Sequence, residues 1–157
     1  MSNKAKGSKA ERELYEMFVA NHFRAVRVAG SGRMDNADCD LIAGKPGKKY
    51  AIEVKSTKKG NKYVSKEQMS SFLVFSEIFG LVPVIAIRFN RLGWYFLNPP
   101  DLEDSGKNWG ISAKQAQEKG KRFSQFFLGE KNEIADGIGF EELDYEEDEE
   151  IKEGDCG

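Results

Sequence analysis

The sequence predicts an α/β fold, a mixed β-sheet flanked by helices in an α/β/α arrangement. Three observations carry this expectation. Apolar residues recur at helical spacing in two segments, one after Ser8 and one after Ser65. Short apolar runs bounded by Gly, Pro and Asn lie around residues 39–43, 49–56, 82–89 and 93–97. The resulting order of helix, strand, hairpin, helix, strand and strand suits a sheet with helices packed on its faces.

Each element has a local reason. Residues 1–7 are small and basic and read as an arm. Ser8 opens the first helix, with Glu11 as its Ser-x-x-Glu capping partner, and Ala10, Leu14, Met17 and Phe18 form one apolar stripe. Phe23 to Val28 reads as a strand, Ala29-Gly30-Ser31-Gly32 as a flexible turn, and Arg33 to Asp38 as a polar loop. Cys39 to Ala43 and Lys49 to Ser56 form two strands joined through Gly44-Lys45-Pro46-Gly47. Lys58, Lys59 and Lys62 make a basic loop, and Ser65-Lys66-Glu67-Gln68 signals a second capped helix running to Phe79 before Gly80. Val82 to Phe89 and Gly93 to Leu97 read as a hairpin closed by Asn90-Arg91-Leu92 and stopped by Pro99-Pro100. Ser112 to Lys121 reads as a weakly amphipathic helix or an irregular arm, followed by Phe123, Phe126 and Phe127.

Composition bounds the function. The 157 residues suit one domain, residues 1–129, followed by an acidic tail, residues 130–157, expected to be disordered. Residues 1–129 hold 22 Lys/Arg against 13 Asp/Glu, a net of +9, whereas residues 130–157 hold 2 against 13, a net of −11. The formal charge of −2 therefore conceals a basic body of the kind that attracts polyanions. No apolar run is long enough for a membrane span, and the Lys-rich start lacks the apolar region of a secretory signal. Cys39 and Cys156 have no partners at zinc-ligand spacing. A soluble, intracellular, cytoplasmic protein is expected.

The chemistry concentrates in Asp40 and the triplet Glu53-Val54-Lys55. Charges inside strands are rare because burying an unpaired one costs several kcal/mol or more. Side chains alternate along a strand, so Glu53 and Lys55 share a face. If the two strands pair, Asp40 joins them. Asp40 and Glu53 offer hard oxygen ligands for Mg²⁺, with Mn²⁺ able to substitute, and the Val54 carbonyl is a further candidate ligand. Magnesium retains waters, one of which would attack a phosphodiester. Lys55 would orient that water or neutralise transition-state charge. Glu11 is a candidate additional ligand, and Arg33, Lys58, Lys59 and Lys62 are candidate DNA-binding residues in loops.

The spacing Asp40-x12-Glu53-x-Lys55 resembles the PD-(D/E)xK nucleases, with Cys39 in place of the proline. Further phrases occur in order: Lys6 to Leu14, Val26 to Gly32, Asp40 to Gly44, Ile52 to Lys55, Phe75 to Gly80 and Gly93 to Phe96. Together they resemble the archaeal-type Holliday junction resolvases, which are also found in viruses. That resemblance covers about residues 6–98 and implies a restriction-endonuclease-like sheet. It further implies a homodimer that binds four-way branched DNA and makes paired symmetric nicks. Carried over by position, Glu11, Asp40, Glu53 and Lys55 match the catalytic set, and Ser31 matches a serine of a mobile loop near the scissile phosphate. Arg12, Arg27 and Arg88 match basic positions, and Phe75 and Phe79 match aromatics at the dimer interface. A viral member would work in the host cytoplasm.

Plainer readings stand beside these. Glu11 can be a capping residue alone, Glu53 and Lys55 an ion pair on a solvated face, and Ser31 ordinary loop chemistry. The arginines can be solubilising. Phe72, Phe75 and Phe79, with Met69, Leu73 and Ile78, cover more than one helix face, which suits either packing on a second subunit or a monomer core. Phe123, Phe126 and Phe127 resemble sliding-clamp-binding peptides, but with Gly120 where such peptides carry glutamine, and they mark a clamp or other protein as a candidate partner. Alternatives to junction resolution are another nuclease of the superfamily acting on duplex, flap or end substrates, and a non-catalytic branched-DNA-binding protein.

Overall fold

A computed structural model of the chain describes residues 3–28 and 38–129, the first six of these through their backbone alone. The elements are α1 (Asn3–Ala20), β1 (Arg24–Arg27), β2 (Leu41–Lys45), β3 (Lys48–Thr57), β4 (Asn61–Ser65), α2 (Lys66–Phe79), β5 (Val82–Phe89) and β6 (Gly93–Leu97). A 3-10 turn (Pro99–Asp101) leads to β7 (Glu103–Asp104), β8 (Asn108–Ser112) and α3 (Ala113–Lys119), and a π-helical turn (Ser124–Leu128) closes the described chain.

The main sheet has the order β1-β2-β3-β5-β6, with β3 and β5 parallel and the other neighbours antiparallel. The tight turn between β2 and β3 places Pro46 at its second position and Gly47 at its third with φ 79°, the conformations a type II turn requires. A parallel pair needs a crossover, and the segment between β3 and β5 supplies it through β4 and α2. The predicted strands and second helix are thus all present.

The sheet is covered on both faces. On one, Ala10, Leu14 and Phe18 of α1 meet Ile52, Val54, Val84, Ala86 and Phe96. On the other, Met69 and Phe72 of α2 meet Ala51, Ile85, Ile87, Tyr95 and Leu97. Alternation along β3 sends Ile52 and Val54 to the α1 side and Glu53 to the opposite side, where α2 begins.

Four expectations are corrected. α1 starts at Asn3, so residues 3–7 continue the helix rather than forming an arm, and Ser8 lies inside it rather than at its N-cap. Lys62 stands in a strand, not a loop: β4 pairs with β8, which pairs with β7, in a second small sheet. Phe72 is 1% exposed and belongs to the protomer core, so it is withdrawn from the candidate dimer face. Phe123 and Phe127 are buried too. The Phe127 ring packs edge-on against Phe18 and Tyr50, and the rings of Phe123 and Phe127 both lie against Phe96. The rings a clamp-binding peptide would present are therefore part of the core.

Candidate active site

Asp40 enters β2 as a three-way junction in the sheet. Its carbonyl accepts the N–H of Val28, its own N–H donates to Ile52, and its Oδ2 accepts the N–H of Val54 at 2.7 Å. The side chain thus satisfies the next rung of β3, where β2 has no backbone left to offer. A strand residue's N–H and C=O leave along the same edge, so the Val54 carbonyl also faces the Asp40 side.

Glu53 is 2% exposed. Its Oε1 accepts from Gln68 Nε2 at 2.8 Å and lies 3.3 Å from Lys55 Nζ, which in turn donates to Gln68 Oε1 at 3.0 Å. The other oxygen, Oε2, is buried and has no hydrogen-bond partner. Burial, and then the charge of Asp40, push Glu53 up to about 8. Asp40 is also raised, chiefly by burial and further by Glu11, against the opposing pull of the Val54 N–H. Buried beside the Asp40 charge, Glu53 favours its protonated form until a cation takes the proton's place.

Glu11 projects from α1 and lies 3.1 Å from Arg27 on β1. The capping role is excluded by the earlier start of α1. Its charge acts on Asp40, which brings it to the margin of the carboxylate pair. Arg12 is exposed, as are Lys58 and Lys59 in the turn after β3, while Lys62 is half-buried. Burial, followed by the charge of Lys55, lowers Lys62, so this lysine also feels the site. Arg88 is drawn elsewhere: its Nε donates at 3.1 Å to Glu13 Oε1, which also accepts from Trp94 Nε1 at 2.9 Å. This contact ties α1 to β5 and β6. Ser31 and Arg33 lie outside the described residues, as does the acidic segment 130–157.

Cys39 is fully buried as a free thiol. Burial first, then Asp40, Glu53 and Asp38, push it up to about 12, so it packs as a neutral side chain and offers no thiolate to a metal. Among the described residues no group of three His, Cys, Asp or Glu is placed to hold a metal ion. The available donors are the Asp40 and Glu53 carboxylates and the Val54 carbonyl. An unpartnered carboxylate oxygen beside a second carboxylate fits a hard divalent cation that keeps much of its own water.

Sequence reasoning missed Gln68. Its position three residues after Ser65 was read as capping chemistry, and Ser65 Oγ does accept the Gln68 N–H at 3.0 Å. The side chain, however, goes to Glu53 and Lys55.

Fold and site together define the class: an α/β/α nuclease-type domain with an aspartate and a Glu-x-Lys triplet on adjacent strands. A family described as "Archaeal holliday junction resolvase (hjc)" matches residues 2–142, and the chain belongs to that family. Among curated relatives, the crossover junction endodeoxyribonuclease Hjc of Methanocaldococcus jannaschii is 39% identical over 109 residues, 69% of this chain and 77% of that protein. The Hjc of Archaeoglobus fulgidus is 33% identical over 135 residues, 82% of this chain and 98% of its own length. A crossover junction endodeoxyribonuclease of Sulfolobus islandicus rod-shaped virus 1 is 33% identical over 94 residues, 58% of this chain and 78% of that protein. The solved structure of Archaeoglobus fulgidus Hjc, described as a Holliday junction resolvase, superposes with a TM-score of 0.69 at 29% identity, covering 76% of this chain and 98% of that one. The restriction-endonuclease-like fold expected from the sequence is therefore observed.

Proposed function

We propose that the protein is a crossover junction endodeoxyribonuclease that resolves four-way DNA junctions by paired, symmetric nicks. The observation that carries this reading is the pair of carboxylates, Asp40 and Glu53, on adjacent strands with Lys55 beside them, in a chain whose relatives bear that activity in their names. A Mg²⁺ or Mn²⁺ held by Asp40, Glu53 and the Val54 carbonyl would supply Lewis-acid activation of water and neutralise charge on the phosphate. Lys55 does the rest of the electrostatic work. An ammonium has three N–H donors, and two are directed at Glu53 and Gln68, so one remains for a phosphate oxygen. Glu11 and Arg27 flank the carboxylates, and the basic body, including Arg12, Lys58, Lys59 and Lys62, attracts the DNA backbone. Recognition rests on junction shape and phosphate contacts.

Paired nicks call for two sites. α2 turns Phe72 into its own core but leaves Ile78 73% and Phe79 61% exposed, with Val74 and the neighbouring Val82 also open. Phe75 and Phe79 pack ring on ring at 4.6 Å. A second copy covering this face would form a two-fold dimer with two equivalent sites. No helix among the described residues is long and apolar enough to cross a membrane, and we place the protein with its DNA in the cytoplasm.

The test is cleavage of a fixed four-way junction, with the nicks mapped on all four strands. Nicks at symmetric positions in two opposing strands, dependent on Mg²⁺ or Mn²⁺ and abolished by chelation, are expected. Equal cleavage of linear duplex or flaps would instead support a general nuclease of this superfamily. Tight junction binding without cleavage would support an architectural protein.

A further inference from the structure

We infer that Gln68 is a positioning residue that sets the orientation of the Glu53 carboxylate and the Lys55 ammonium together. The inference rests on the nuclease reading above and concerns how its site is held in shape. The terminal torsion of a glutamate is broad, so a lone carboxylate has no fixed plane. Here one amide fixes it. Gln68 Nε2 donates to Glu53 Oε1 and Gln68 Oε1 accepts from Lys55 Nζ, which leaves Glu53 Oε2 as the unpartnered oxygen. The amide can take only this sense. Turned over, it would set its oxygen against the carboxylate and its NH₂ against the ammonium. A side chain with one donor end and one acceptor end therefore reads the polarity of the ion pair, which a purely anionic, cationic or apolar side chain cannot do.

The second helix gives up local stability for this arrangement. α3 carries the same Ser-x-x-Gln signature and closes it: Gln115 accepts the Ser112 N–H at 2.9 Å while Ser112 Oγ accepts the Gln115 N–H at 3.1 Å. In α2 only the serine half forms, and the glutamine is directed into the site. The anchoring of the Gln68 backbone at the rigid start of a 14-residue helix gives its amide a fixed base.

The test measures Mn²⁺ binding by titration calorimetry on the full chain, alongside junction nicking and thermal stability. Gln68→Met keeps the side-chain length and removes both hydrogen bonds; it should weaken Mn²⁺ binding by about 10-fold or more, the scale for losing a residue that orients a ligand. Gln68→Asn, whose amide falls short of Glu53, should show the same loss. Junction binding in chelator should stay at the wild-type level in both. Ser112→Ala removes the cap of α3, which touches none of Gln68, Glu53 and Lys55, and should lower the melting temperature while leaving Mn²⁺ affinity intact. Wild-type Mn²⁺ affinity in both Gln68 variants overturns the inference, and so does an equal loss in Ser112→Ala. A wild-type protein that neither binds Mn²⁺ nor nicks junctions overturns the nuclease reading itself.

Discussion

The Asp40 carboxylate takes the place of a backbone carbonyl in the sheet, accepting the Val54 N–H at 2.7 Å. One side chain therefore serves both the ladder and the site, and two substitutions separate those duties. Asp40→Asn retains an acceptor oxygen for Val54 and loses the charge. It should fold normally, bind junctions and lose nicking by about 100-fold or more, the scale for removing one preorganised electrostatic contact. Asp40→Ala should lose a further about 1–3 kcal/mol of stability because the Val54 N–H is left unpaired. Urea unfolding in chelator, compared with nicking rates, distinguishes them.

Glu53 makes metal-free stability depend on pH. Burial, and then Asp40, raise its carboxyl from 4.5 to about 8 in the fold. The native chain then holds a proton that the unfolded chain has released, so stability falls as pH rises from about 4.5 to about 8. Glu53→Gln mimics the protonated form and should gain on the wild type steadily across that window. Parallel pH profiles for the two proteins in chelator would show that Glu53 carries no such linkage.

Arg88 should matter to stability through Glu13. Both side chains are more than a third exposed, so their pairing is screened by solvent. A double-mutant cycle of Arg88→Ala and Glu13→Ala should give a coupling of about 0.5–1 kcal/mol. Exact additivity would mean that the 3.1 Å contact contributes nothing to the fold.

The exposed face of α2 predicts a change in mass. Ile78→Glu should leave the protomer folded and convert a dimer to a monomer in light scattering. Phe72→Ala, two turns earlier and buried, should instead cost about 3–5 kcal/mol of folding stability. A wild-type protein that scatters as a monomer would remove the dimer proposal.

Much of this architecture was legible because it is local. The apolar runs of β2, β3, β5 and β6, the glycine after Phe79 and the Glu-x-Lys triplet each announce themselves within a few residues. The small sheet did not. β4 has a single buried apolar residue, Val64, in a segment rich in Lys and Asn, and its partner β8 lies more than forty residues later in the chain. Only that distant pairing makes Asn61–Ser65 a strand. The start of α1 was placed late because Ser8 and Glu11 satisfy a capping pattern that tertiary structure does not use. Gln68 failed in the opposite sense: its pattern was correct for the backbone and silent about the side chain. Phe123 and Phe127 looked like an exposed motif because nothing local shows that Phe18, Tyr50 and Phe96 lie waiting for them.

The alternation along β3 has a consequence for folding as well as for cleavage. Ile52 and Val54 point into the aromatic core under α1, and Glu53 points the other way. Sliding β3 by one residue against β5 would drive a carboxylate and an ammonium among Leu14, Phe18 and Phe96, at a cost of several kcal/mol or more. The charges that would cut DNA thus also act as a key that admits only one alignment of the central strands. A dead variant made by turning Glu53 and Lys55 into apolar residues would lose that key, and its sheet would be less uniquely paired than the wild type's.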